Sequence, residues 1–355
     1  MIGKKMNSDL LELLTTYTPD FNPILGKNTR DFAALLAGSS PTGESGEPDI
    51  KAIRLSVAEF LAGKALPYPY PMTSASFVKN EIAGISCYIL KHEDAKNVPT
   101  LVMFYGGGFC LNTMGSCMAF MANVAAKLSC NIILPDSPLA PETKAREMLS
   151  QVNVFIKTLF NSFETYGISE NFILMGWSSG ANIAITAALN LQNEAPILFG
   201  KISKLVLLSP WIDLSMRTQK EGPYQTQQNA DTIAAGAEPL TQMSTWYLPK
   251  DATGGESEFC PATRSADELK NLPFTTVITG GSEVLFGDSV LITHALKQAG
   301  TAVQLVVLQG QTHNYLVLDQ LSKDGVFVPD LIQRIITDGV IENMVGEDGF
   351  GLELY

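Results

Sequence analysis

The chain has 355 residues, 46% of them hydrophobic and 17% charged, with a formal net charge of −12. That length and apolar content suit one large domain with an elaboration and exclude a disordered chain. The acidic balance argues against nucleic acid or an anionic membrane as a partner, because both repel it.

In chain order, the N-terminus holds Lys4 and Lys5, but Asp9 and Glu12 then interrupt the apolar residues. The apolar run of a secretory signal is therefore not expected. Segments 9–17 and 49–66 carry helical apolar spacing, with a polar Gly/Ser/Pro linker over 38–49 between them. Residues 66–76 contain Pro67, Pro69 and Pro71, which remove backbone donors and restrict their predecessors. Residues 1–75 are thus read as an N-terminal helical segment and linker, and 76–355 as the main domain.

From residue 76 strands alternate with helices. Strands are expected over 85–91, 100–106, 131–137, 171–177, 204–210, 274–280 and 303–309. Helices are expected over 117–129, 141–163, 179–192, 288–300 and 329–344, with Asp288 and Gly300 as the caps of the fourth. Short apolar strands alternating with helices predict an α/β fold, a mostly parallel central sheet with helices on both faces. Residues 216–265 break the alternation with a long polar stretch containing short helical pieces. An insertion at about 215–265, lying beside the functional face as a lid, explains it better than a structureless loop. No apolar run reaches the ~20 residues of a membrane-spanning helix.

The pentad Gly-Trp-Ser-Ser-Gly, residues 176–180, lies between a predicted strand and a predicted helix. Such a turn pushes the Ser178 hydroxyl out at the C-terminal edge of the sheet. A plain Ser-rich helix cap is the alternative that the pattern alone leaves open. A serine nucleophile needs a base, and there are three histidines. His92 lies in a charged, exposed turn and His294 in mid-helix. His313 follows the last predicted strand, at the same sheet edge as Ser178. The acid that orients it belongs in 277–289, where Glu283 and Asp288 both qualify. Glu283 is preferred, because it leaves the strand directly and Asp288 has a capping role. Residues 104–109 read Phe-Tyr-Gly-Gly-Gly-Phe, and glycines without Cβ let the amides of Gly107 and Gly108 approach an oxyanion. The amide of Ser179 would be the third donor. A tight turn is the competing reading of the glycines.

These residues resemble the hormone-sensitive-lipase group of α/β-hydrolase esterases. The matching stretches are "YGGGF" (105–109), "DSPLAPE" (136–142), "GWSSG" (176–180), "SPWIDL" (209–214), "EVLFGD" (283–288) and "HNY" (313–315), in family order across about 76–340. The resemblance implies an α/β-hydrolase fold with a mainly helical lid built from the N-terminal helices and the insertion. It also implies a Ser178–Glu283–His313 triad. Three departures stand out: Tyr105 replaces the motif histidine, Trp177 the acidic elbow residue, and Glu283 the usual aspartate.

The expected activity is a serine carboxylic-ester hydrolase acting through an acyl-enzyme on small to medium apolar esters, acetyl esters among them. Phe109, Trp177, Trp211, Trp246 and Tyr247 are the candidate substrate-binding aromatics, with ordinary core packing as the competing role. An amide or lactone hydrolase is one alternative. A non-catalytic, receptor-like small-molecule-binding module of the same fold is another. No cofactor and no metal are implied, since no His/Cys cluster has ligand spacing. The five cysteines form no CxxC pair, which suits free buried thiols in the cytoplasm. The expected partner is a small-molecule ester, with no nucleic acid and no membrane span; a homodimer is the assembly allowed for.

Overall fold

A computed structural model describes residues 49–63, 77–217, 237–308, 311–313, 327–337 and 352–354. The strands are β1 (Val78–Ile82), β2 (Ile85–Leu90), β3 (Thr100–Phe104), β4 (Asn131–Pro135), β5 (Phe172–Trp177), β6 (Ile202–Leu208), β7 (Thr275–Gly280), β8 (Val303–Leu308) and β9 (Leu352–Leu354). The helices are α1 (Ile50–Gly63), α2 (Met114–Lys127), α3 (Ala145–Asn161), α4 (Ser179–Glu194), α5 (Pro196–Phe199), α6 (Ala237–Tyr247), α7 (Ala266–Leu269), α8 (Phe286–Gln298) and α9 (Phe327–Thr337).

The nine strands form one sheet in the order β1-β2-β4-β3-β5-β6-β7-β8-β9. Strands β3 to β8 pair in parallel, while β1, β2 and β9 join antiparallel. The expected fold class, a mostly parallel sheet with helices on both faces, is what the chain adopts.

The period-two alternation of the inner strands divides the core into two layers. Val102, Phe104, Leu174, Leu205, Leu207, Val277, Leu305 and Val307 face one cluster, together with residues of α3, α4 and α8. Leu101, Met103, Ile173, Met175, Trp177, Val206, Leu208, Ile278 and Val306 face the other, with α2 and α9. Both faces being covered explains why these strands read as continuous apolar runs. Each fully buried Leu, Val or Ile contributes about 1.5–3 kcal/mol relative to exposure. Helix α3 places Ala145, Met148, Leu149, Val152, Phe155, Ile156, Leu159 and Phe160 on its buried stripe, at the spacing of an amphipathic helix.

Three local expectations change. Helix α8 starts at Phe286 with Leu285 as its N-cap, so Asp288 lies in the first turn and is not the cap. The cap at the other end is Ala299, and Gly300, at φ 80°, follows it. His92 is half-buried, with Nδ1 accepting from the Asp94 amide, where an exposed side chain was expected. Among the described residues, no helix is long and apolar enough to cross a membrane. The expected helix at 9–17 and linkers at 38–48 and 66–76 lie outside the described residues, as does 218–236 of the insertion.

Candidate active site

The turn after β5 is forced by its glycines. A Cβ on Gly176 would stand 2.2 Å from the Gly180 carbonyl oxygen, and one on Gly180 would stand 2.2 Å from that of Phe104. Only glycine permits backbone to meet backbone this closely. The chain then passes through Ser178 at φ 56°, ψ −123°, and helix α4 begins at Ser179. A serine at positive φ is strained by about 1–3 kcal/mol, and such residues persist only where their surroundings over-determine them. Here the Ser178 amide donates to Leu208 O, and its carbonyl accepts from Ala181 N and Trp211 N.

His313 arrives from the loop after β8 and is buried. Its Nε2 lies 2.9 Å from Ser178 Oγ. Its Nδ1 lies 3.7 Å from Glu283 Oε2, outside direct hydrogen-bond range. Glu283 is fully buried on the loop after β7. Its two oxygens accept from hydroxyls, Oε2 from Ser209 Oγ and Oε1 from Thr279 Oγ1, each at 2.6 Å. Asp288, the other candidate acid, points elsewhere: its Oδ2 accepts from the amides of Ile212 and Asp213 at 2.7 and 2.8 Å. It thereby fastens the 209–214 loop, in which Asp213 pairs with Arg217 Nε at 2.8 Å.

The glycine loop after β3 runs beside the elbow. Gly107, Gly108 and Phe109 all have positive φ, at 127°, 61° and 63°. Among the described residues no hydrogen bond takes the amide of Gly107 or Gly108, whereas the Phe109 amide donates to Ser179 Oγ at 3.1 Å. Unpaired backbone donors beside a buried serine are available to a ligand oxygen. The loop is braced on two sides. Thr113 Oγ1 donates to Gly106 O at 2.7 Å and Tyr105 donates its hydroxyl to Asp136 Oδ1 at 2.9 Å. Arg54 of α1 donates through Nε to Cys110 O at 2.7 Å, and its guanidinium also grips Ala140 O and both oxygens of Glu142.

The five candidate aromatics fall into two places. Phe109 stacks face to face on Tyr247 at 3.8 Å and lies 5.5 Å from Trp211. All three are buried in the first core layer, and half-buried Trp246 packs against that layer. Trp177 belongs to the opposite layer, its ring centroid 6.2 Å from that of His313. A Cβ on Gly106 would come within 2.8 Å of its ring, so Trp177 packs behind the elbow against the glycine loop. Helix α6 covers the same loop from the other side. Met243 Sδ occupies the space a Gly108 Cβ would need, Ser244 Oγ donates to Leu214 O at 2.8 Å, and Lys144 Nζ donates to Trp246 O.

Sequence reasoning missed Arg54, Asp136, Ser209 and Met243, which reach the site from far along the chain, and Thr279, which stands four residues before Glu283. Ser209 and Asp136 stand inside quoted motifs, but only as family markers. No group of three or more metal-ligating side chains is assembled among the described residues.

A family model described as alpha/beta hydrolase fold matches residues 101–317. An esterase of Acinetobacter venetianus is 28% identical over 235 residues, covering 66% of this chain and 73% of that protein. The 3-O-acetylpapaveroxine carboxylesterase CXE1 of Papaver somniferum is 25% identical over 264 residues, covering 69% and 80%. The solved hyperthermophilic esterase of Pyrobaculum calidifontis superposes with a TM-score of 0.73 at 20% identity, covering 89% of this chain and 99% of the other.

Proposed function

The chain belongs to the alpha/beta hydrolase fold family, and on that footing we propose that it is a serine carboxylic-ester hydrolase working through an acyl-enzyme. The observation that carries this reading is the 2.9 Å approach of His313 Nε2 to Ser178 Oγ on a strained turn. Ser178 Oγ attacks the ester carbonyl carbon while its proton passes to His313 Nε2. Glu283 stabilises the imidazolium from the Nδ1 side. The carbonyl oxygen, now carrying the negative charge, accepts from the amides of Gly107, Gly108 and Ser179, aided by the positive N-terminal end of α4. Collapse breaks the ester C–O bond, and His313 gives its proton to the leaving alkoxide. Water, deprotonated by His313, then releases the acid.

Small to medium apolar esters, acetyl esters included, fit the aromatic surroundings of Phe109, Trp211, Trp246 and Tyr247, with Trp177 behind the elbow. The acetylated compound in the Papaver relative's name points the same way. Residues 1–75 and 215–265 form the lid in this reading, supported by the contacts of Arg54 and Met243 with the glycine loop. Five buried free thiols fit a cytoplasmic setting.

The test is covalent labelling of Ser178 by a fluorophosphonate, followed by hydrolysis of p-nitrophenyl esters from acetate upward, beside an amide and a lactone. Labelling of wild type but not of Ser178→Ala, with the fastest turnover on short esters, is expected. Equal labelling of both proteins removes Ser178 from the mechanism. No labelling and no turnover leaves a binding module.

A further inference from the structure

We propose that Ser209 is a positioning residue that sets the basicity of His313 by sharing Glu283 Oε2 with it. The inference rests on the reading of Ser178, Glu283 and His313 as a triad. Ser209 is fully buried, and its own backbone is at φ 43°. Its amide donates to Ile278 O at 2.7 Å, which pins it between the ends of β6 and β7. From there Oγ donates to Oε2 at 2.6 Å, while His313 Nδ1 stands 3.7 Å from the same oxygen. Thr279 Oγ1 holds Oε1 at 2.6 Å. Both O–H···O contacts fall in the short range of bonds to a charged acceptor.

A glutamate has one more rotatable bond than the aspartate of the resembled family, so its carboxylate has to be fixed by something besides its backbone. The two hydroxyls do this. They also draw on the negative charge that would otherwise serve the imidazolium, and a carboxylate already bound by donors is a weaker partner for a third. His313 therefore stays neutral, and able to accept the Ser178 proton, down to a lower pH than it would beside a carboxylate without them. Among the described residues, the other acids near this loop have partners of their own. Asp288 accepts from the amides of Ile212 and Asp213, and Asp213 pairs with Arg217.

The test is a pH titration of the full chain, uniformly ¹³C-labelled at histidine, in wild type, Ser209→Ala and Ser209→Gly. The chain has three histidines, and His313→Gln assigns the relevant signal. Glycine suits the positive φ at this position, so the second variant keeps the backbone should the alanine variant fold poorly. With Oε1 still held by Thr279, the freed Oε2 takes the Nδ1–H of His313. The His313 midpoint is then expected to rise by about one pH unit in both variants, with His92 and His294 unmoved. The acid limb of kcat/KM for a p-nitrophenyl ester should move up equally, about tenfold less activity at a given pH below it. A His313 midpoint that stays or falls in a folded variant overturns the proposal. So does a uniform loss of kcat/KM with no shift of the acid limb, which marks Ser209 as structural only. A wild type that neither labels nor turns over sinks the triad reading, while the histidine titration still judges the link from Ser209 through Glu283 to His313.

Discussion

Tyr105 donates its buried hydroxyl to Asp136 Oδ1 at 2.9 Å, an oxygen that also accepts from Asn112 Nδ2 at 3.2 Å. The residue that departs from the family's histidine thus braces the glycine loop against the segment after β4. Tyr105→Phe deletes a hydrogen bond to a charged acceptor and should cost about 1.5–3 kcal/mol in urea unfolding. Burial, with the Asp136 charge adding to it, pushes the Tyr105 phenol well above its ordinary pKa of 10.0. A group whose pKa is raised by folding stabilises fully below its unfolded value, and that contribution is lost as pH climbs past it. Wild type should therefore lose stability from about pH 10 upward, and the Phe variant should lose less over the same range. Parallel stability–pH curves above pH 10 would remove Tyr105 from this account.

Exchanging the two candidate acids separates their tasks. Glu283→Gln keeps one acceptor oxygen for the hydroxyls of Ser209 and Thr279 but takes away the negative charge that faces His313, and kcat is expected to fall by about 10³–10⁴. Asp288→Asn removes charge from an oxygen that holds two backbone amides. It should lower the melting temperature more than Glu283→Gln does and leave far more of kcat. Steady-state kinetics and thermal unfolding of both variants decide. The reverse ranking in kcat would transfer the acid role to Asp288.

The sheet and the places of the chemistry were legible because each sits where a periodic apolar strand stops. Gly106–Phe109, Ser178, Glu283 and His313 follow four different strands, and in the structure they leave the ends of β3, β5, β7 and β8. What was hidden depends on contacts that no local pattern encodes. Ser209 and Glu283 are 74 residues apart, and Arg54 and Cys110 are 56 apart. Strand β1 was missed because, at the sheet edge, it buries only Ile82 and shows no alternation. The start of α8 was misplaced because Asp288 looks like a cap, whereas burial of Phe286 extends the helix and turns the carboxylate toward a neighbouring loop. For Trp177 the sequence left the pocket wall and packing behind the elbow both open. Its position in the strand sends it to the α2 side of the sheet, and no pentad pattern states which face that is.

Arg54 joins α1 to the glycine loop by two kinds of bond, and they should respond differently to mutation. Its bonds to Cys110 O and Ala140 O go to carbonyls that carry no titratable charge. Its contact with Glu142 is an ion pair at 2.8 Å, with the Glu142 side chain 53% exposed, and exposed pairs contribute little. Arg54→Ala strips two loop carbonyls of their donors, so kcat/KM should fall several-fold and α1 should become sensitive to limited proteolysis. Arg54→Lys cannot reproduce the planar fork and should recover only part of the loss. Glu142→Gln should change kcat/KM by less than about twofold. The Arg54 guanidinium holds the Glu142 carboxyl below its ordinary value of 4.5. The pair's small contribution is accordingly complete above pH 4.5 and is lost as pH falls through the lowered value. Acid unfolding of Glu142→Gln should thus begin at nearly the wild-type pH, whereas Arg54→Ala should be weaker at neutral pH as well. If Glu142→Gln proved as damaging as Arg54→Ala at pH 7, the ion pair and not the carbonyl bonds would be what ties α1 to the glycine loop.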